Sequence, residues 1–324
     1  MNQGSARARW LRIGGAIAVL IAMIVVVDVA SHGTFLEPGN LVRVLRQITY
    51  NCILGVGQTF VIVTAGIDLS VGSLVALTGV VAALFANWAH LSGFPLVLAT
   101  LVVTVAVGAL AGWVNALPVV KLNLPPFITT LAMLEMALGA SFILSHGRPV
   151  SLQSAAFQNT GIGSVFGLPI PVIWMICVIV GASVLLNRTR FGRYVFAIGG
   201  NEEAARLAGI NVGRVKTMVY VISGVCAAIV GFLYMSLFSS GSPQTGTGDE
   251  LLESIAAVVV GGTSLMGGRG GVVGTFFGAL LIGVLYNAMN LLGVDSYLQK
   301  VLLGLVILLA VVLDELRKRY LSST

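Results

Sequence analysis

Residues Thr217–Phe238 read TMVYVISGVCAAIVGFLYMSLF, an unbroken apolar run without a single charged side chain. A helix needs about 20 such residues to cross the ~30 Å hydrocarbon core of a bilayer, and this stretch is long enough. It shows no polar stripe of the kind a helix on a soluble domain turns to water. Arg214 and Lys216 stand just before it, where basic residues mark the end of a membrane span.

Working outward, the same pattern recurs near Ile48–Ala65, Val71–Trp88, Leu96–Pro118, Phe127–Leu144, Leu168–Leu186, Val272–Leu292 and Leu298–Leu313. A shorter run, Leu252–Gly262, is too brief to cross comfortably and reads as a tilted, short or partly re-entrant helix. At the amino terminus, Arg7, Arg9 and Arg12 precede the apolar run Ile13–Val27. A signal-peptide cut after Ala30 would put Asp28 where a small residue is needed, so this run is expected to stay as a first membrane helix. Composition agrees, with 57% hydrophobic and 9% charged residues against roughly 25% charged in soluble domains. The expected fold is therefore all-α: a polytopic transmembrane helical bundle of about ten helices, with residues 1–324 forming one membrane domain.

The charges set an orientation. With both termini cytoplasmic, all but four of the 18 basic residues fall inside, the exceptions being Arg43, Arg46, Arg148 and Lys300. Arg43 and Arg46 read as an interfacial helix. Glu37, Asp249, Glu250, Glu253 and Asp295 fall outside, and Ser239–Glu253 reads as an outside loop. Because the basic residues mark span ends, the positive net charge gives no reason to expect nucleic acid. The three cysteines lie within apolar runs and share no ligand spacing with His32, His90 or His146, so no metal, haem or disulfide is expected.

The longest inside loop, about 187–216, holds Asn201-Glu-Glu-Ala-Ala-Arg-Leu-Ala-Gly209. Asn201 is a good N-cap, Glu202 and Glu203 suit the positive helix end, and Gly209 is a natural stop. Glu202 and Arg206 stand four apart and can pair. A two-turn helix results, which must dock on its own membrane domain or on a partner to persist.

Several polar residues interrupt the apolar runs. Asp68, in Gly66-Ile-Asp-Leu-Ser70-Val-Gly72, either caps the next helix or presents polar groups beside a substrate path. Glu135 lies mid-way along its run, where a charge costs at least ~2.5 kcal/mol unless paired or wet, so it is expected to face the interior or a cavity, or to be protonated. Asn115, Asn287 and Asn290 can bind a polar solute or another helix. Glycines at four-residue spacing, Gly108 with Gly112 and Gly270 with Gly274 and Gly278, suit close helix contact. Gly262–Gly268 echoes Gly66–Gly72 as G-x-x-L-x-x-G, a faint sign of an internal repeat. The glycine-rich stretch after Gly261 lacks the lysine of a phosphate loop.

The segment Arg190–Val212, with Glu203-Ala-Ala-Arg-Leu-Ala-Gly209 at its centre, resembles the permease subunits of bacterial ATP-binding-cassette importers of the ribose type. So do Gly66–Ser73, Ile255–Gly270 and Asn290–Tyr297, in the expected order. The resemblance implies a non-enzymatic transport subunit that imports a monosaccharide or related polyol by alternating access. It implies that Asn201, Glu202, Glu203, Ala204, Arg206 and Gly209 couple the chain to a separate cytoplasmic ATPase, which binds the ATP and Mg while this chain binds no cofactor. It implies a second permease copy, an extracytoplasmic sugar-binding protein and a place in the bacterial inner membrane. Asp68, Ser70, Asn115, Glu135, Asn287 and Asn290 are the candidate pathway residues. An ion-coupled secondary transporter is the alternative, with Glu135 and Asp68 at its centre, and a membrane enzyme finds neither nucleophile–base pair nor metal ligands.

Overall fold

The computed structural model describes residues 19–152 and 154–322, with backbone alone for 310, 311 and 313–322. Among the described residues, 76% are helical, in 13 helices. They are α1 (Val19–Ala30), α2 (Pro38–Val63), α3 (Val71–Trp88), α4 (Gly93–Lys121), α5 (Pro126–Ser145), α6 (Gln158–Ile162) and α7 (Ile170–Arg188). Then come α8 (Arg190–Gly200), α9 (Glu202–Leu207), α10 (Val212–Phe238), α11 (Glu250–Val260), α12 (Val272–Leu291) and α13 (Ser296–Ser322). Setting aside α6, α8 and α9, each helix answers to one of the ten apolar runs. Among the described residues, α3, α4, α5, α7, α10 and α12 are long and apolar enough to cross a membrane by length and composition. The polytopic all-α bundle is thus what the chain forms. Arg7, Arg9, Arg12 and the start of the first run lie outside the described residues.

The core is built on α10 and α2, which pack on each other and on α3, α4, α11 and α12. Contact is close because glycines meet backbone. A Cβ on Gly108 or Gly112 of α4 would lie 2.3 Å from a carbonyl oxygen of α10, that of Gly224 or of Tyr220. On α12, a Cβ at Gly274 or Gly278 would lie 2.2 or 2.0 Å from the carbonyl oxygen of Gly261 or Ala257. In a bilayer, where apolar contact alone gives helices little reason to associate, such approach supplies the van der Waals attraction. Gly270 differs: it precedes α12 in a turn, at φ +147°, facing the Thr263 side chain.

Two sequence expectations are corrected. Arg43 and Arg46 do not sit on an interfacial helix. They belong to α2, which starts at Pro38 and buries a stripe of Asn40, Val44 and Ile48. Hydropathy misses these first turns because Arg43, Arg46 and Gln47 occupy their other faces. Nor is Ser239–Glu253 simply an outside loop. After pairing with Val150–Ser151 through Ser240–Gly241, the chain runs back along α3, Gly241 against Gly79 and Gly246 against Gly72 and Val75. Glycines permit this: a Cβ on Gly72 would lie 2.2 Å from the Gly246 oxygen. The segment folds back along the bundle, and α11 begins against it. Cys52 and Cys226 are buried, whereas Cys177 faces outward from α7.

Candidate functional site

The short helix α9 is assembled as its residues dictate. The Asn201 side chain accepts from the Ala204 N–H at 2.9 Å, and Gly209 ends the helix at φ +80°, its neighbour Ile210 donating back to the Ala205 oxygen at 3.1 Å. Glu202 pairs with Arg206 at 3.2 Å and with Lys216 of α10 at 2.6 Å. Burial alone would raise the Glu202 pKa, but the hydrogen bond and charge of Lys216, joined by those of Arg206, outweigh it and hold the carboxyl below its ordinary range. This tether is therefore complete above the ordinary carboxylate pKa and fails only as pH falls through the depressed one. Ala205 is the buried contact. Glu203, Ala204 and Ala208 stay exposed, and Leu207 is 85% exposed.

Beneath α9, three backbone segments converge. Gly199, near the end of α8, sits where a Cβ would lie 1.7 Å from the Val63 oxygen and 2.5 Å from the Gly268 nitrogen. The Gly268 N–H donates to the Val63 oxygen at 2.9 Å. The α2–α3 break and the α11–α12 turn, which carry the two echoing glycine motifs, thus meet under the end of α8.

At the α2–α3 break Asp68 is fully buried and accepts four hydrogen bonds: from the Ser70 N–H at 3.0 Å, Ser70 Oγ at 2.6 Å, Ser223 Oγ at 2.7 Å and Asn115 Nδ2 at 3.4 Å. Asn115 also donates to Ser70 Oγ at 3.1 Å, and Gln58 donates to the Asp68 carbonyl at 2.5 Å. One carboxylate so ties the start of α3 to α4 and α10. Asp68, Ser70 and Asn115 form one cluster; the other candidate pathway residues lie elsewhere. Asn287 exchanges reciprocal 2.9 Å bonds with Asn40, joining α12 to α2. Asn290 is exposed and accepts from Gln299 at 3.0 Å.

Glu135 does not face the interior of this chain. The buried stripe of α5 runs Thr130, Met133, Ala137, Ser141, and Glu135 lies off it, exposed beside Met136. Sequence reasoning also passed over a cavity of about 390 Å³ between α2, α10 and the first turn of α11, lined among others by Gln47, Tyr50, Asn51, Tyr234 and Glu253. The spacing of Gln47, Tyr50 and Asn51 was a usable signal, since i, i+3 and i+4 share a helix face. Their partners on α10 and α11 are distant in sequence and gave none.

A family model described as branched-chain amino acid transport system / permease component matches residues 40–311. The chain belongs to this permease family. The ribose import permease of Escherichia coli (strain K12) is 43% identical over 309 residues, 94% of each chain. That of Bacillus subtilis (strain 168) is 43% identical over 302 residues, 93% of this chain and 92% of its own. The xylose transport system permease of Escherichia coli (strain K12) is 34% identical over 370 residues, 95% of this chain and 93% of its own. No solved structure matches. As a permease component, the chain is a multi-pass membrane protein working within a larger transport system, and its geometry divides accordingly. The exposed face of α9 projects from the bundle, the glycine junction lies between α8, the α2–α3 break and the α11–α12 turn, and the Asp68 cluster and the cavity lie among the core helices.

Proposed function

We propose that this permease imports a monosaccharide or related polyol by alternating access, driven by a separate cytoplasmic ATPase. The observation that carries the reading is the α9 cap. A helix of six residues is held down by Ala205 and the Glu202–Lys216 pair, yet turns Glu203, Ala204, Leu207 and Ala208 outward. A leucine so exposed at the tip of a docked, capped helix is a knob for a cleft on another protein. Identity to ribose and xylose permeases along nearly the whole chain supports the sugar class. Asn201, Glu202, Glu203, Ala204, Arg206 and Gly209 form and present the coupling element.

The chain acts as one membrane domain with both termini cytoplasmic in a bacterial inner membrane, and does no bond chemistry. ATP and Mg reside on the ATPase, and a sugar-binding protein delivers substrate from outside. A second copy completes the transporter. Exposed Glu135 supports this, because a carboxylate on an apolar span is costly against lipid and is relieved by a wet or protein-covered face.

Native purification in mild detergent tests the coupling reading. Wild type should retain a cytoplasmic ATPase identifiable by mass spectrometry, while Glu203→Lys and Gly209→Asp should lower its recovery at least tenfold at unchanged permease yield. Equal recovery in wild type and both variants would remove α9 as the coupling element.

A further inference from the structure

The cavity beside α11 has the size and chemistry of a ligand site. Its volume of about 390 Å³ lies within the ~300–1,000 Å³ of small-molecule pockets. Gln47, Tyr50 and Asn51 line it from α2, Tyr234 from α10, and Glu250 and Glu253 from the start of α11. The Tyr50 and Tyr234 rings stack with centroids 4.3 Å apart and 15° between planes, and Phe238 extends the stack at 5.7 Å from Tyr234. Asn51 donates to Glu253 across the α2–α11 contact. These contacts fix the walls, so the cavity is formed in advance.

We propose that this cavity is a polyhydroxyl-sugar site within each permease protomer, where a sugar released by the binding protein is held during transfer; the proposal rests on the sugar-import reading. Sugar hydroxyls both donate and accept, and the walls offer carboxylates to accept and amides and phenols to donate. One Glu250 carboxylate oxygen is buried without a hydrogen-bond partner among the described residues, and a ligand hydroxyl satisfies it. The walls also discriminate. A branched-chain amino acid, the solute in the family description, would pair its ammonium with the Asp249, Glu250 and Glu253 carboxylates but find no free cation among the described residues of the lining for its own carboxylate, the neighbouring Lys300 being already paired to Asp249 at 3.0 Å. Its alkyl side chain would desolvate those carboxylates without bonding them. Nor is the lining a metal site: among the described residues no group of three or more His, Cys, Asp or Glu could hold a metal ion.

The site belongs to α2, α10 and α11, whereas Glu135 faces outward on α5, so pocket and α5 variants should behave differently. The test is ATP-driven uptake of labelled ribose, fructose, xylose and leucine by the intact importer, purified with its ATPase and binding protein and reconstituted in liposomes. Gln47→Leu and Glu250→Gln each nearly keep the volume of the wall: the first removes an amide's hydrogen-bonding groups, and the second removes the charge and turns one acceptor oxygen into a donor. Each should lower the maximal rate for the transported sugar at least tenfold. The half-saturating concentration, set by the binding protein, should not change, and the ATPase should be retained, which shows that the variant has folded. Wild-type sugar rates in both folded variants would overturn the pocket assignment alone. Wild type carrying leucine but none of the three sugars would overturn the sugar reading, and the pocket's ligand with it.

Discussion

Gly199→Ala is expected to leave little folded permease, whereas Gly200→Ala, one residue on, is expected to behave as wild type. The two glycines are adjacent in α8 and have the same intrinsic helix cost relative to alanine, so propensity predicts the same small gain for both. Packing decides otherwise. A Cβ at Gly199 would lie 1.7 Å from the Val63 oxygen and 2.5 Å from the Gly268 nitrogen, while at Gly200 nothing lies within 4 Å. Both neighbours at Gly199 are backbone, held by their own 2.9 Å hydrogen bond, and cannot swing aside as a side chain would. Overpacking of this kind costs typically ~1–3 kcal/mol and more where backbone must move. Yield and thermal stability in detergent should fall sharply for Gly199→Ala. Any folded fraction should hydrolyse ATP with its partner but transport poorly, because the junction beneath α9 is displaced. Equal melting temperatures for the two variants would remove the close-packed junction from the account.

The second large effect is expected at Asp68. Its replacement by alanine removes four hydrogen bonds and strands the Ser70 N–H and the Ser70 and Ser223 hydroxyl hydrogens, while the Asn115 amide keeps its 3.1 Å bond to Ser70 Oγ. At the ~0.6 kcal/mol measured on average for hydrogen bonds between membrane helices, the four together are worth about 2 kcal/mol. Buried donors left wholly unpaired cost ~1–3 kcal/mol each, which makes that figure a floor. Asp68→Ala should therefore lower thermal stability far more than Ser223→Ala, which removes a single bond. Asp68→Asn should fall between them, since its amide oxygen still accepts from Ser70. Melting curves in detergent read all three. A Ser223→Ala loss equal to that of Asp68→Ala would mean that the carboxylate is not the centre of the cluster.

Much of the fold is legible in the sequence because lipid imposes one simple demand, a long apolar run for each span. Among the described residues, the six helices long and apolar enough to cross a membrane answer to it. It fails where burial comes from protein rather than lipid. The start of α2 carries Arg43, Arg46 and Gln47, and Ser239–Asp249 is polar, yet both are integral to the bundle. Glycines hint at the second case, but Gly241 on Gly79 and Gly246 on Gly72 are contacts between segments far apart in the chain. The short helix α9 is legible to the residue, since capping is local: Asn201, Glu202, Arg206 and Gly209 act within a few positions of one another. Asp68, Ser70 and Asn115 each stand out as polar residues in apolar runs, but only the crossing of α4 and α10 over the α2–α3 break makes them one cluster. Glu135 shows the converse, because sequence gives its depth and not the face of α5 on which it lies.

The most direct test of the central claim is the energy source of uptake. In cells expressing this permease with its native partners, ATP-driven import predicts that labelled sugar keeps accumulating when an uncoupler and a sodium ionophore collapse the proton and sodium gradients while ATP is maintained, and stops when ATP is depleted with the gradients intact. Accumulation that vanishes with the gradients at constant ATP would contradict the account and make this chain an ion-coupled carrier.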